Sequence, residues 1–211
     1  MKLCDSLVLN NLAMFDQQNI NSVKIANPVK FLMRGLTDTF LIWKTIEYFK
    51  PTTLLEIGSY AGQTLGLMYE SAGKDSKIIS VDIDLQNLQV FQHLFPDNHV
   101  EFHQIDSLDM SFDQTFDFIH VDGNHFNPWV ENDVIKSLAM STPNTIISLD
   151  DYEKSWWDID TVIKKYLLGQ HDFVPFLEGD SSIFFHHVSH DANEFLDQWL
   201  QKDANNFNLF K

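Results

Sequence analysis

One stretch constrains this chain more than any other: Thr53-Leu54-Leu55-Glu56-Ile57-Gly58-Ser59-Tyr60-Ala61-Gly62, followed by Gln63-Thr64-Leu65-Gly66-Leu67-Met68-Tyr69. An apolar run carrying a β-branched residue stops at a glycine-spaced turn, and a helical pattern starts straight after it. The segment therefore predicts strand, tight turn, helix. That is the first unit of a doubly wound α/β sheet, in which ligands bind beyond the carboxyl ends of the strands near the point where strand order reverses. The spacing is Glu-x-Gly-x-x-x-Gly, with Tyr60 where a dinucleotide fingerprint places its second glycine. A side chain there obstructs a pyrophosphate lying on the helix N-terminus, which disfavours NAD and FAD.

This segment resembles motif I of the class I S-adenosylmethionine (SAM) dependent methyltransferases, whose glycines bring the backbone close to the methionine part of SAM. The resemblance implies that Glu56, Gly58, Ser59, Tyr60 and Gly62 line the cofactor.

Composition sets the outer bounds. The 211 residues suit one domain of ordinary size, and 44% hydrophobic with 21% charged residues is globular rather than disordered. Fourteen Lys and Arg against 30 Asp and Glu give a net charge of −16, which repels a phosphate backbone and argues against a nucleic-acid substrate. The single cysteine, Cys4, excludes an internal disulfide framework and a cysteine metal cage. The sequence shows neither a leader pattern nor an apolar run of about 18 residues, so a soluble cytoplasmic protein without membrane contact is expected.

Taken in order, residues 1–50 carry helical patterns, with Leu36, Phe40, Trp43, Ile46 and Tyr48-Phe49 near the helical period, and form an expected lid or flank that suits a homodimer. The core is expected over residues 51–190 and a C-terminal helix and tail over 191–211, with a short helix around Phe195 to Leu200. Lys77 to Asp82 reads as a second strand ending in an acid, and nucleoside-binding sheets place a ribose-binding carboxylate about 20 residues after the glycines. Asp82 is the expected ribose ligand, with Asp84 as competitor or as cap of the helix starting at Leu85. Val100 to Ile105 alternates apolar and polar as a third strand and delivers Asp106-Ser107. In the methyltransferases an Asp or Ser there often contacts adenine, so the resemblance implies Asp106 or Ser107. Phe116 to Val121 is the fourth strand, residues 129–140 a helix, and Thr145 to Leu149 the fifth strand after a turn at Pro143-Asn144. Trp156-Trp157 through Leu168 reads as an amphipathic helix. Asp172 to Leu177 and Ser182 to Val188 flank a hairpin signal. The resemblance implies strand order 3-2-1-4-5-7-6 in a Rossmann-like seven-stranded sheet with strand 7 antiparallel.

Strands four and five each end in carboxylates, Asp122 and Asp150-Asp151. Neighbouring strand ends lie about 4.8 Å apart, so the three acids can converge, and a hard divalent cation would relieve their repulsion. All-oxygen ligation points to Mg²⁺, with Mn²⁺ or Ca²⁺ as alternatives, and away from zinc. Here the sequence is similar to the metal-dependent O-methyltransferases, of the catechol and caffeoyl-CoA types and more closely of the sugar and macrolide types. The resemblance implies Asp122, Asp150 and Asp151 as metal ligands and, from Asp122-Gly123-Asn124-His125, a general base at His125. Asn124 departs from the acid common there, and Pro143-Asn144 from a common Gly-Gly. The expected function is SAM- and metal-dependent methyl transfer to a hydroxyl of a small polyhydroxylated or glycosylated metabolite. Metal-independent transfer and a non-catalytic SAM-binding module are the competing readings. His186-His187 lie on adjacent strand positions whose side chains oppose each other, which disfavours a shared ion.

Overall fold

The structure, a computed structural model, describes residues 36–152, 157–168, 172–178 and 181–187. The lid before residue 36, Cys4, Trp156 and the C-terminal tail lie outside the described residues. The elements run α1 (Leu36–Phe49), β1 (Thr53–Ile57), α2 (Gln63–Ser71), β2 (Lys77–Asp82), α3 (Gln89–Leu94), β3 (Glu101–Gln104), β4 (Phe116–Val121), α4 (Trp129–Ala139), β5 (Ser141–Leu149), α5 (Ile159–Tyr166), β6 (Phe173–Glu178) and β7 (Ile183–His187).

They build one seven-stranded sheet of order β3-β2-β1-β4-β5-β7-β6, with β7 antiparallel to both of its neighbours. The central strands are apolar on both faces because helices cover both. Alternation sends Leu54, Ile78, Phe118 and Ile146 to the face packed by α1 and α2. It sends Leu55, Ile79, Ile119 and Ile147 to the face packed by α4 and α5. Strand order reverses between β1 and β4, so the carboxyl ends of these two strands flank the crevice in which such sheets bind ligands.

Local chemistry moves several boundaries. The helix expected from Leu85 opens as a 3₁₀ turn, Leu85–Leu88, capped by the Asp84 carboxylate, which accepts from Gln86 N at 2.9 Å. Strand β5 starts at Ser141, ahead of the expected turn, and its register against β4 jumps from Phe116↔Ser141 to Phe118↔Ile146. The irregular residues satisfy one another: Thr142 N donates to Thr145 Oγ1 at 2.7 Å, and Asn144 N to Thr142 Oγ1 at 3.1 Å. The helix expected from Trp156-Trp157 begins only at Ile159. Among the described residues no helix is long and apolar enough to cross a membrane.

Candidate active site

The turn after β1 is built by close approach. Gly58 has φ +88°, and a Cβ on it would lie 2.5 Å from the carbonyl carbon of Asp122 and 2.6 Å from Gly123 Cα. Gly62 has φ +77°, and its Cβ would fall 2.6 Å from Phe91 Cβ. Both glycines thus make room for the chain's own atoms, whatever ligand also approaches there. Asp82 at the end of β2 braces the turn: its Oδ2 accepts from Ser59 N and Tyr60 N, each at 2.8 Å, and its Oδ1 from Asp84 N at 2.9 Å. A carboxylate offers about four lone-pair sites, so acceptor capacity remains for ribose hydroxyls. Tyr60, at φ +42°, is exposed beside it.

Glu56 lies beneath the turn. Register pairs it with Ser80 on one side and His120 on the other, and His120 with Ser148, so one buried polar row crosses β2, β1, β4 and β5. Ser80 Oγ donates to Glu56 Oε2 at 3.1 Å, Ser59 Oγ is hydrogen-bonded to Ser80 Oγ, and His120 Nδ1 lies 3.2 Å from Ser148 Oγ. Burial, and after it the charge of Asp122, pushes the Glu56 carboxyl up to about 8, so it is neutral at pH 7. Its Oε1 and His120 Nε2 are buried without a hydrogen-bond partner among the described residues. Sequence reasoning missed this row, although strand alternation announces it. Each member stands two residues before Gly58, Asp82, Asp122 or Asp150, and so shares a face with it.

Asp106 and Ser107 are tied to α4. Asp106 Oδ1 accepts from Trp129 Nε1 and Leu108 N, both at 3.0 Å, and the Ser107 carbonyl accepts from Asn132 Nδ2 at 2.9 Å and Lys136 Nζ at 3.0 Å. Behind them burial raises the Asp133 carboxyl to about 6.

The ends of β4 and β5 bring Asp122, His125 and Asp151 together, with one ligand-capable atom from each within 4.8 Å of the others. His125 Nε2 lies 3.6 Å from Asp122 Oδ1 and 3.4 Å from Asp151 Oδ2. Asp151 reaches the cluster from a left-handed backbone, φ +55°. Asp150 stands outside this cluster: its Oδ1 accepts from Ser182 Oγ at 2.8 Å and lies 3.2 Å from Ser181 Oγ, which is 3.0 Å from Asp38 Oδ2. The His125 imidazole stacks on the Trp157 indole, with ring centres 4.2 Å apart and planes 16° from parallel. The loop below it is pinned where Asp158 N donates to the His125 carbonyl at 3.1 Å and Asn127 N to Asp158 Oδ2 at 2.8 Å. Burial raises the Asp122 carboxyl, and the neighbouring His125 imidazole partly offsets it. Two convergent carboxylates, one of them held above its ordinary range, form a donor set that fits a divalent cation.

Residues 55–152 match a family described as a methyltransferase domain. Together with the β3-β2-β1-β4-β5-β7-β6 sheet, that match supports a SAM-dependent methyltransferase. Among solved structures, this chain is similar to a SAH-bound methyltransferase of Podospora anserina, at 15% identity and TM-score 0.62 over 82% of this chain and 97% of that one. It is similar to an O-methyltransferase of Bacillus cereus in complex with SAH, at 14% and 0.62 over 80% and 94%. It is also similar to the N-methyltransferase NodS of Bradyrhizobium japonicum, at 14% and 0.54 over 76% and 97%. At such identities the likeness is one of fold, and it spans oxygen and nitrogen methyltransferases alike. A search of curated proteins finds no match by sequence.

Proposed function

We propose that this methyltransferase transfers the SAM methyl group to a hydroxyl of a small polyhydroxylated or glycosylated metabolite, in a reaction that depends on a divalent cation. The observation that carries this reading is the convergence of Asp122, His125 and Asp151 directly beside the turn where Gly58 abuts Asp122. In this reading Asp82, Tyr60 and the turn from Gly58 to Gly62 hold the nucleoside and methionine parts of SAM, with Asp106 or Ser107 at the adenine. The cation would be held by Asp122 and Asp151, and it would supply acidity and orientation to the acceptor hydroxyl.

The chain's own residues do the rest. An acidic site suits the sulfonium cation, and Glu56, kept neutral beneath the turn, leaves that attraction to the carboxylates at the rim. Transfer breaks the sulfur–methyl bond and forms the oxygen–methyl bond, with the hydroxyl proton lost into the cluster. Trp157, stacked on the His125 imidazole, borders the cluster.

The test is SAH formation from SAM with a panel of catechols and glycosides, before and after EDTA. Acceptor-dependent turnover that stops on chelation and returns with added divalent ion is the expected result. Turnover indifferent to EDTA would favour metal-independent transfer, for which the acidic cluster is structural.

A further inference from the structure

The all-oxygen cation site expected from the sequence needs the Asp150 carboxylate, but the cluster that converges is Asp122, His125 and Asp151, and Asp150 Oδ1 is engaged at the hairpin end instead. Its Oδ1 accepts at 2.8 Å from the fully buried Ser182 hydroxyl, and the Ser181 hydroxyl lies 3.2 Å from it and 3.0 Å from Asp38 Oδ2. Asp38 on α1 fixes the same hairpin end by accepting from Ser182 N at 3.0 Å and Ser181 N at 3.3 Å. Turning Asp150 toward Asp122 would strip a buried hydroxyl of its acceptor.

His125 fills the place that Asp150 leaves. Its Nε2 stands 3.6 and 3.4 Å from the nearest oxygens of Asp122 and Asp151, beyond the 2.7–3.2 Å of good N–H···O bonds. Those separations are close to what ligands on one ion show: bonds of about 2.0–2.2 Å place tetrahedral neighbours about 3.4 Å apart and octahedral neighbours about 3.0 Å apart. The ring stacks on Trp157, and the His125 backbone is tied down where its carbonyl accepts from Asp158 N.

We infer that His125, together with Asp122 and Asp151, ligates the cation, so that a one-imidazole, two-carboxylate set selects a first-row transition ion such as Mn²⁺, Fe²⁺, Co²⁺ or Zn²⁺ over Mg²⁺. Imidazole nitrogen suits those ions, whereas Mg²⁺ is served by oxygen. A lone pair given to a cation cannot also accept the substrate's proton, so His125 is a ligand rather than the general base that the resemblance implied. The inference rests on the cation-dependent reading above.

The experiment needs no acceptor. Untagged protein, with its histidines labelled with ¹⁵N, is loaded with Mn²⁺ and examined by electron spin-echo spectroscopy, and Mn²⁺, Co²⁺ and Mg²⁺ are titrated by calorimetry into wild type, His125→Asn and Asp150→Asn. Histidine nitrogen coupling to Mn²⁺ is expected in wild type and not in His125→Asn. His125→Asn should lose at least about tenfold in Co²⁺ affinity, and Asp150→Asn less than about threefold. Mn²⁺ bound without nitrogen coupling, with binding lost in Asp150→Asn, would overturn the inference and leave the cation-dependent reaction standing. Wild type that binds no divalent ion at millimolar concentration would overturn both. The label on native protein decides the question even if a variant misfolds.

Discussion

The carbonyl group of Asp122 occupies the space that a side chain at Gly58 would need. The ends of β1 and β4 are therefore packed backbone to backbone at the point where strand order reverses. Gly58→Ala must bear both a φ of +88° and this overlap, and about 2–5 kcal/mol of destabilisation is expected. Gly73, whose Cβ would meet nothing nearer than Ser76 Oγ at 3.6 Å, is the control and should change stability by less than about 1 kcal/mol. Urea denaturation of the two variants makes the comparison, and equal midpoints would show that the turn yields.

Glu56 makes stability depend on pH in a defined direction. Its carboxyl is raised from 4.5 to about 8 by burial, so between those values the folded state binds more protons than the unfolded chain. Stability then falls as pH rises from about 4.5 to about 8 and levels off above, with an upper bound of about 5 kcal/mol from this one group. Glu56→Gln keeps the shape without the titration, and its melting temperature should fall less than that of wild type between pH 5 and 9. Parallel curves for the two proteins would place the ionisation elsewhere.

Trp157 should act on the cation through His125. Replacing the indole by alanine removes the flat surface that orients the imidazole, and loss of such a supporting contact costs about 10- to 100-fold in metal affinity or activity. Trp157→Phe, which retains a ring for stacking, should recover most of it. A Mn²⁺ titration checks this, and equal affinities across wild type, Trp157→Ala and Trp157→Phe would show that the stack is only packing.

Much of the fold was legible because β1, β2 and β4 are β-branched, apolar runs that each stop at a glycine or an acid, and the resemblance supplied their order. The convergence at the ends of β4 and β5 was legible in the same way, since Asp122 and Asp151 follow strands that the resemblance places side by side. The orientation of Asp150 was not. It depends on the hydroxyls of Ser181 and Ser182, which precede β7, and on Asp38 of α1, which are distant in sequence and carry no motif. Glu56 was expected at the cofactor, and its motif position was read correctly as a strand end. Only its pairing with Ser80 and His120 across the sheet shows that the carboxyl is buried beneath the turn.

The acidic rim should also answer to removal of a single carboxylate. Asp122→Ala deletes one of the two convergent acids and is expected to abolish both divalent-ion binding and any EDTA-sensitive turnover, while SAH affinity stays within about threefold. Calorimetry with Mn²⁺ and with SAH on the same preparation separates the two effects. Loss of SAH binding with retained Mn²⁺ binding would reverse the assignment.

The most direct measurement is calorimetric titration of SAH into wild type and Asp82→Ala. Asp82 braces Ser59 and Tyr60 and is proposed to meet the ribose, so wild type should bind in the micromolar range and Asp82→Ala at least about tenfold more weakly while melting cooperatively. No heat with wild type at millimolar SAH, or undiminished affinity in Asp82→Ala, would contradict the placement of the cofactor at the ends of β1 and β2.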